Sequence, residues 1–175
     1  MKLTNVLLIP SLIFSIHSLA VAQDSVPFDT YGSVFNSAGE PIDPDWLAYC
    51  VSEGFDSGFQ GTRIGTANHL GVYIETERGC LDFSQFPIVQ SRNIEATLVA
   101  ANGDELHYVA EADFDFSNPP EIPWGVFEFV GGTGRFEHAT GGGEVQDIGT
   151  GDSGAVLRLV GEITFEASDR SKKPE

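Results

Sequence analysis

Residues 94–112 read Ile-Glu-Ala-Thr-Leu-Val-Ala-Ala-Asn-Gly-Asp-Glu-Leu-His-Tyr-Val-Ala-Glu-Ala. Ile94, Ala96, Leu98 and Ala100 alternate with Glu95, Thr97 and Val99, and after Asn102-Gly103 the alternation resumes through Leu106, Tyr108, Ala110 and Ala112. A period of two places successive side chains on opposite faces of a strand. Asn-Gly between two such runs is the strongest short hairpin signal, because both central residues of a two-residue turn favour positive φ.

Outward from this hairpin, the stretches Trp46–Ser52, Leu70–Glu77, Val126–Val130, Gly143–Asp147 and Ala155–Ala167 also read as strands. Glycine-rich segments at 131–134, 141–143 and 149–154 divide the C-terminal part into turns. No stretch after residue 22 carries a convincing 3.6-residue period; Arg135–Ala139, little more than one turn, comes nearest. Seven or eight strands in one small domain predict an all-β barrel or sandwich.

The N-terminus has the three parts of an export signal. Lys2 gives a positive start, Val6–Ile16 is an uncharged apolar run, and Ala20-Val21-Ala22 presents small residues to a signal peptidase. Eleven helical residues would cover only about 16 Å of a hydrocarbon core of about 30 Å, which argues against an uncleaved anchor. The expected organisation is a signal peptide over 1–22, a loose segment over 23–29, a barrel domain over 30–167 and a polar tail over 168–175. Removal of residues 1–22 takes away one lysine and moves the net charge from −17 to −18. Such a charge excludes nucleic acid and anionic membrane surfaces as expected partners, since both need clustered Lys and Arg. No later segment is apolar enough for a membrane span. A secreted protein, periplasmic or extracellular, is expected, with its oligomeric state open, a homo-oligomer included.

Cys50 and Cys80 both belong to the mature chain. In an oxidising compartment an even pair favours one disulfide, closing a loop of about 30 residues and contributing about 3–4 kcal/mol. Two buried free thiols are the alternative. No His or acidic partner stands beside either cysteine at metal-site spacing, and His69, His107 and His138 match no metal signature. Asp43, Asp45, Asp113, Asp115, Asp147 and Asp152 are read as solvated carboxylates, without the twelve-residue ligand loop of a calcium site. Neither metal nor cofactor is expected.

Gly151-Asp152-Ser153-Gly154 looks like a serine-protease nucleophile motif, but 153 mature residues are too few for the two barrels such a site needs. Residues 149–154 also match G-x-G-x-x-G, followed here by an alternating strand and not by the helix a dinucleotide site requires. The aromatic residues Tyr73, Tyr108, Trp124, Phe127, Phe129, Phe136 and Phe165 either fill a packed core or line an apolar cavity.

Three segments resemble a group of exported bacterial proteins: Gly65-Thr66-Ala67-Asn68-His69-Leu70-Gly71, Ala100-Ala101-Asn102-Gly103-Asp104-Glu105-Leu106, and Gly131-Gly132-Thr133-Gly134-Arg135-Phe136 continuing to Ala139-Thr140-Gly141. The last is also similar to the signature of allene oxide cyclase and dirigent barrels. The resemblance covers roughly residues 60–166, with Asn68 where the group more often has Thr and Glu137-His138 in place of a smaller pair. It implies an eight-stranded antiparallel barrel with an internal cavity. Its glycines allow a sharp turn after Val130, with Phe136 folding back over the barrel end and Arg135 outside. Allene oxide cyclases hold a fatty-acid epoxide without a cofactor, and dirigent proteins hold phenolic intermediates. The matching segments are structural, so neither family's pocket residues map onto this chain.

Three expectations for function follow. The first is a non-enzymatic exported barrel that binds a small apolar or amphipathic molecule or serves a structural role. The second is a cofactor-free isomerase or cyclase, for which Glu95, Glu128 and His107 are the strand residues to inspect; it requires such groups to face an apolar interior. The third is a secreted protein-interaction module using a strand edge or the acidic surface.

Overall fold

A computed structural model describes residues 24–36, 41–117, 124–151 and 154–165. The expected signal peptide over 1–22, the polar tail over 168–175 and the pair Asp152-Ser153 lie outside these residues. The strands are β1 (Val26–Asn36), β2 (Ser57–Ala67), β3 (Gly71–Asp82), β4 (Ile88–Ala100), β5 (Glu105–Asp115), β6 (Trp124–Gly132), β7 (Thr140–Gly151) and β8 (Gly154–Thr164). Each pairs antiparallel with its successor, and β8 returns to β1, closing an eight-stranded barrel. Among the described residues the fold is all-β apart from one short helix and a single 3-10 turn. No described helix is long and apolar enough to cross a membrane.

The hairpin of residues 94–112 is present, with Ala96 opposite Tyr108 and Leu98 opposite Leu106. Its turn differs from expectation. Of the turn residues only Gly103 has positive φ, 87°. Gly103 N donates to the Ala100 carbonyl and Ala100 N to that of Asp104, both at 2.9 Å. A three-residue loop with glycine in the left-handed position therefore replaces the two-residue turn.

The segment Trp46–Ser52, expected as a strand, is part of a helix, α1 (Pro44–Ser52). Asp43 caps it, its carboxylate accepting from Asp45 N at 2.9 Å, and Pro44 occupies the first turn, where a missing N–H costs nothing. The run Trp-Leu-Ala-Tyr-Cys-Val is apolar on both strand faces, so alternation could not identify it. The deciding spacing is Trp46 to Cys50, four residues apart, which together form the buried face. That face lies against the outside of β2 and β3. Trp46 Nε1 donates to the Gly79 carbonyl at 3.1 Å, and Cys50 is disulfide-bonded to Cys80, with Cα atoms 5.4 Å apart. The disulfide is thus the state of the two cysteines.

β1 begins at Val26, inside the segment expected to be loose: Val26–Asp29 pair with Val160–Ile163. Asn68 holds this start in place, accepting from Asp29 N and donating to the Pro27 carbonyl, both at 2.7 Å. Arg158 grips both carboxylate oxygens of Asp29 across the closing seam, at 2.7 and 2.5 Å. Closure leaves no free edge among the described strands for a partner strand to extend.

The two ends of the barrel differ. At one end the 3-10 turn Gly134–Phe136 folds inward, and Phe136 is fully buried against Phe165, with ring centroids 5.2 Å apart. Arg135 lies over that ring at 4.7 Å and donates to the His69 carbonyl at 2.5 Å. Gly131 and Gly134 have positive φ, 104° and 57°. Gly132 does not; a Cβ there would fall 2.0 Å from the Glu105 carbonyl oxygen, so close approach of backbone is its requirement. The corner at 131–136 is therefore scaffold. The motif at 149–154 spans the end of β7 and the start of β8, with no helix following.

Candidate functional site

Inside the barrel, the inward positions near the plugged end are Phe28, Leu98, Leu106, Phe129 and Ile163, all essentially inaccessible. Toward the α1 end the packing gives way to a cavity of about 390 Å³, within the range of small-molecule sites. Its walls are largely apolar: Phe59, Ile94, Ala110, Phe114, Val145 and Leu157 face it from β2, β4, β5, β7 and β8. Phe83 and Phe116 stand at the rim, exposed by 42% and 44%.

The cavity floor is charged. β3 was expected as a strand, but its faces are reversed relative to hydropathy: Val72 and Ile74 are outside, while Tyr73, Glu75 and Glu77 point in. β2 places Arg63 inside as well, directly opposite Glu75 in the ladder. Arg63 Nη2 donates to Glu77 Oε1, and Nη1 lies 3.7 Å from Glu75 Oε1. Tyr108, two strands away on β5, donates to Glu75 Oε1 at 2.5 Å. Its ring reaches across β4 because the intervening position, opposite both Tyr108 and Glu77, is the small Ala96. Arg63, Glu77 and Tyr108 line the cavity; Glu75 is 1% exposed and sits behind them.

Burial sets the proton affinities here. Desolvation pushes the Glu77 carboxyl up to about 7, with the Arg63 charge opposing and the Glu75 charge adding. Burial beside Glu75 holds the Tyr108 hydroxyl well above its usual range, so it stays a donor. Burial disfavours the Arg63 cation, but Glu77 and Glu75 outweigh that effect and keep it charged.

A bulge in β4 adds one more polar group. The β4–β5 register shifts between Ser91 and Ile94, and Asn93 takes φ 51°. The extra residue lets both Ser91 and Ile94 face inward, as bulges beside sites often do. Ser91 is fully buried, lines the cavity, and its Oγ has no hydrogen-bond partner.

The three residues singled out from sequence stand elsewhere. Glu95 and Glu128 are exposed on the outer face, Glu95 paired with Arg78 at 2.7 Å. His107 is on the same outer face and meets Glu105 at 3.1 Å. An isomerase reading built on these three therefore fails, because each sits one residue out of phase with the inward positions 94, 96, 108, 127 and 129. Of the aromatic residues that the sequence offered as core or cavity lining, Tyr108 lines the cavity; Tyr73, Phe127, Phe129 and Phe136 are packed core, and Trp124 is half exposed. His69 lies at the β2–β3 turn, its Nε2 2.9 Å from the Pro27 carbonyl. Asp113 is paired with Arg92 at 2.6 Å and Asp115 accepts from Ser117 N at 2.9 Å.

The inward cluster was missed because charged residues in an alternating strand default to solvent. One signal was available. Arg63, Glu75 and Glu77 are charges on strands whose other face carries Ile64, Val72 and Ile74. No protein-family model and no curated protein matches the chain.

Proposed function

We propose that this chain is an exported binding protein that holds one small amphipathic molecule inside the barrel, apolar body toward the rim and polar end on the floor. The observation that carries this reading is the pairing of an apolar cavity of about 390 Å³ with a floor made of Arg63, Glu77 and Tyr108. A scaffold with no ligand would be better served by apolar side chains there, since buried ion pairs seldom stabilise more than their hydrophobic replacements. The Cys50–Cys80 bond supports export to an oxidising compartment. The closed eight-stranded barrel and the plugged corner at 131–136 support kinship with allene oxide cyclase-like and dirigent-like barrels. The test is mass spectrometry of the organic extract from protein purified from its native source. A stoichiometric amphipathic compound supports the reading; a cavity that co-purifies and takes up nothing refutes it.

One observation favours a second reading, a cofactor-free isomerase. Glu77, with a carboxyl near 7, can take a proton from a bound molecule and return it at another atom. Under that reading Glu77→Gln retains binding and abolishes turnover, and recovery of every cavity-bound compound unchanged after incubation with the wild-type protein rules it out.

A further inference from the structure

Among the described residues the ionic cluster in the barrel has two carboxylates and one guanidinium. Arg63 serves both Glu77 and Glu75, and Tyr108 spends its proton on Glu75. Glu77 Oε2 accepts no hydrogen bond among the described residues, and the Ser91 hydroxyl on the cavity wall has no partner either. A purely apolar occupant would leave both groups unpaired at the cost of their desolvation. A ligand carboxylate would meet Glu77 with the one cation among the described lining residues already neutralised. The rim adds to this bias. Asp82 and Asp115 end β3 and β5 at the open end, where Asp56 accepts from Phe83 N; residues 82–88 and 113–117 contain no Lys or Arg, and the whole chain carries −17. Such a field draws cations in and turns anions away.

We infer that the cavity selects an amphipathic amine, its protonated head seated on Glu77 within reach of the Arg63–Glu75 cluster and its apolar body running past Ser91 to Phe114 and Phe116. The inference rests on the cavity being a ligand site. Among the described side chains three groups of the lining titrate or carry charge and bear on the head: Glu77 on β3, Arg63 on β2 and Tyr108 on β5, with Glu75 behind them. The Glu77 proton and the ligand cation compete for the same carboxylate.

The experiment is displacement of a neutral anilinonaphthalene dye by octylamine, octanol and octanoate, with full-length mature protein. At about pH 8.5 octylamine should displace at least about tenfold more tightly than octanol, and octanoate least well. Glu77→Gln should remove the amine's advantage over octanol. Because that variant can also alter folding, the same comparison on wild-type protein at about pH 5.5 is the second arm: protonated Glu77 should weaken the amine about tenfold or more. Equal displacement by all three compounds, or preference for octanoate, overturns the amine assignment and leaves the cavity as a binding site. Displacement by none of them overturns both.

Discussion

Arg63 stands opposite Glu75 in the β2–β3 ladder, yet its guanidinium donates to Glu77, one inward position nearer the open end. The cluster therefore has two sides. Glu75 and Tyr108 close it toward the packed half of the barrel, and Glu77 presents it to the cavity. Charge, apolar wall and rim are aligned along one axis, which is the arrangement an amphipathic molecule requires.

Removal of the cation should be costly. Arg63→Met leaves two buried carboxylates facing one another, and a loss of about 3–5 kcal/mol in urea unfolding is expected. Replacing Arg63 and Glu77 together by Met should recover much of that loss. A single-variant loss below about 1 kcal/mol would mean the cluster is far more hydrated than its burial implies.

Stability should fall as pH rises through neutrality. The Glu77 carboxyl is raised by burial from an ordinary 4.5 to about 7, so the folded protein binds more protons than the unfolded chain between those values. Folding is therefore favoured on the acid side, and on the order of 2–3 kcal/mol is lost as pH rises from 4.5 through 7, the contribution becoming flat above about pH 8. Thermal melts across this range should show the decline in wild type and not in Glu77→Gln. The Asp29 carboxyl, held low by its hydrogen bonds with Arg158, acts oppositely and only at lower pH, where its protonation weakens the β1–β8 seam.

Much of the fold was legible in the sequence, and the reasons are local. The β4–β5 hairpin combines uninterrupted alternation with a turn signal, and β6 and β8 alternate similarly. β2 was not read because its inward positions are Gly61, Arg63, Gly65 and Ala67, which give no apolar period. α1 was read as a strand because both faces of its sequence are apolar, although Asp43-Pro44 marks a helix start. The candidate site was hidden for one reason. Glu95, Glu128 and His107 follow the rule that polar strand residues sit opposite an apolar core face, while Arg63, Glu75 and Glu77 break it by neutralising one another inside. Pairing between strands 12 to 14 residues apart in sequence is a tertiary fact that hydropathy does not contain.

The disulfide should act on α1 more than on the barrel. Cys50 and Cys80 close a separation of 30 residues, and the double Ala variant should lose about 3–4 kcal/mol. The strands do not depend on it, so far-UV circular dichroism should keep its β signal at 25 °C while proteolysis opens sites within 41–56. Collapse of the whole spectrum on reduction would contradict this division.

Phe136 plugs the far end of the barrel with no exposed surface. Phe136→Ala should cost about 3–5 kcal/mol, as for other buried phenylalanines. Affinity for a cavity ligand should stay within about twofold at matched folded fraction, because the plug and the cavity lie at opposite ends.

Where a bound alkyl chain lies can be read from nuclear Overhauser contacts in methyl-labelled protein with octanol, a ligand neutral at every pH and so independent of the headgroup assignment. The apolar side chains available to it are of two kinds: the inward Ile94, Ala110, Ala112, Val145 and Leu157, and the exposed outer-face Ile64, Val72, Ile74 and Val126. Binding inside the barrel predicts contacts from the chain to the first set, strongest at Ala110 and Ala112. Contacts confined to the second set, or no bound signal at saturating octanol, would contradict an internal ligand site.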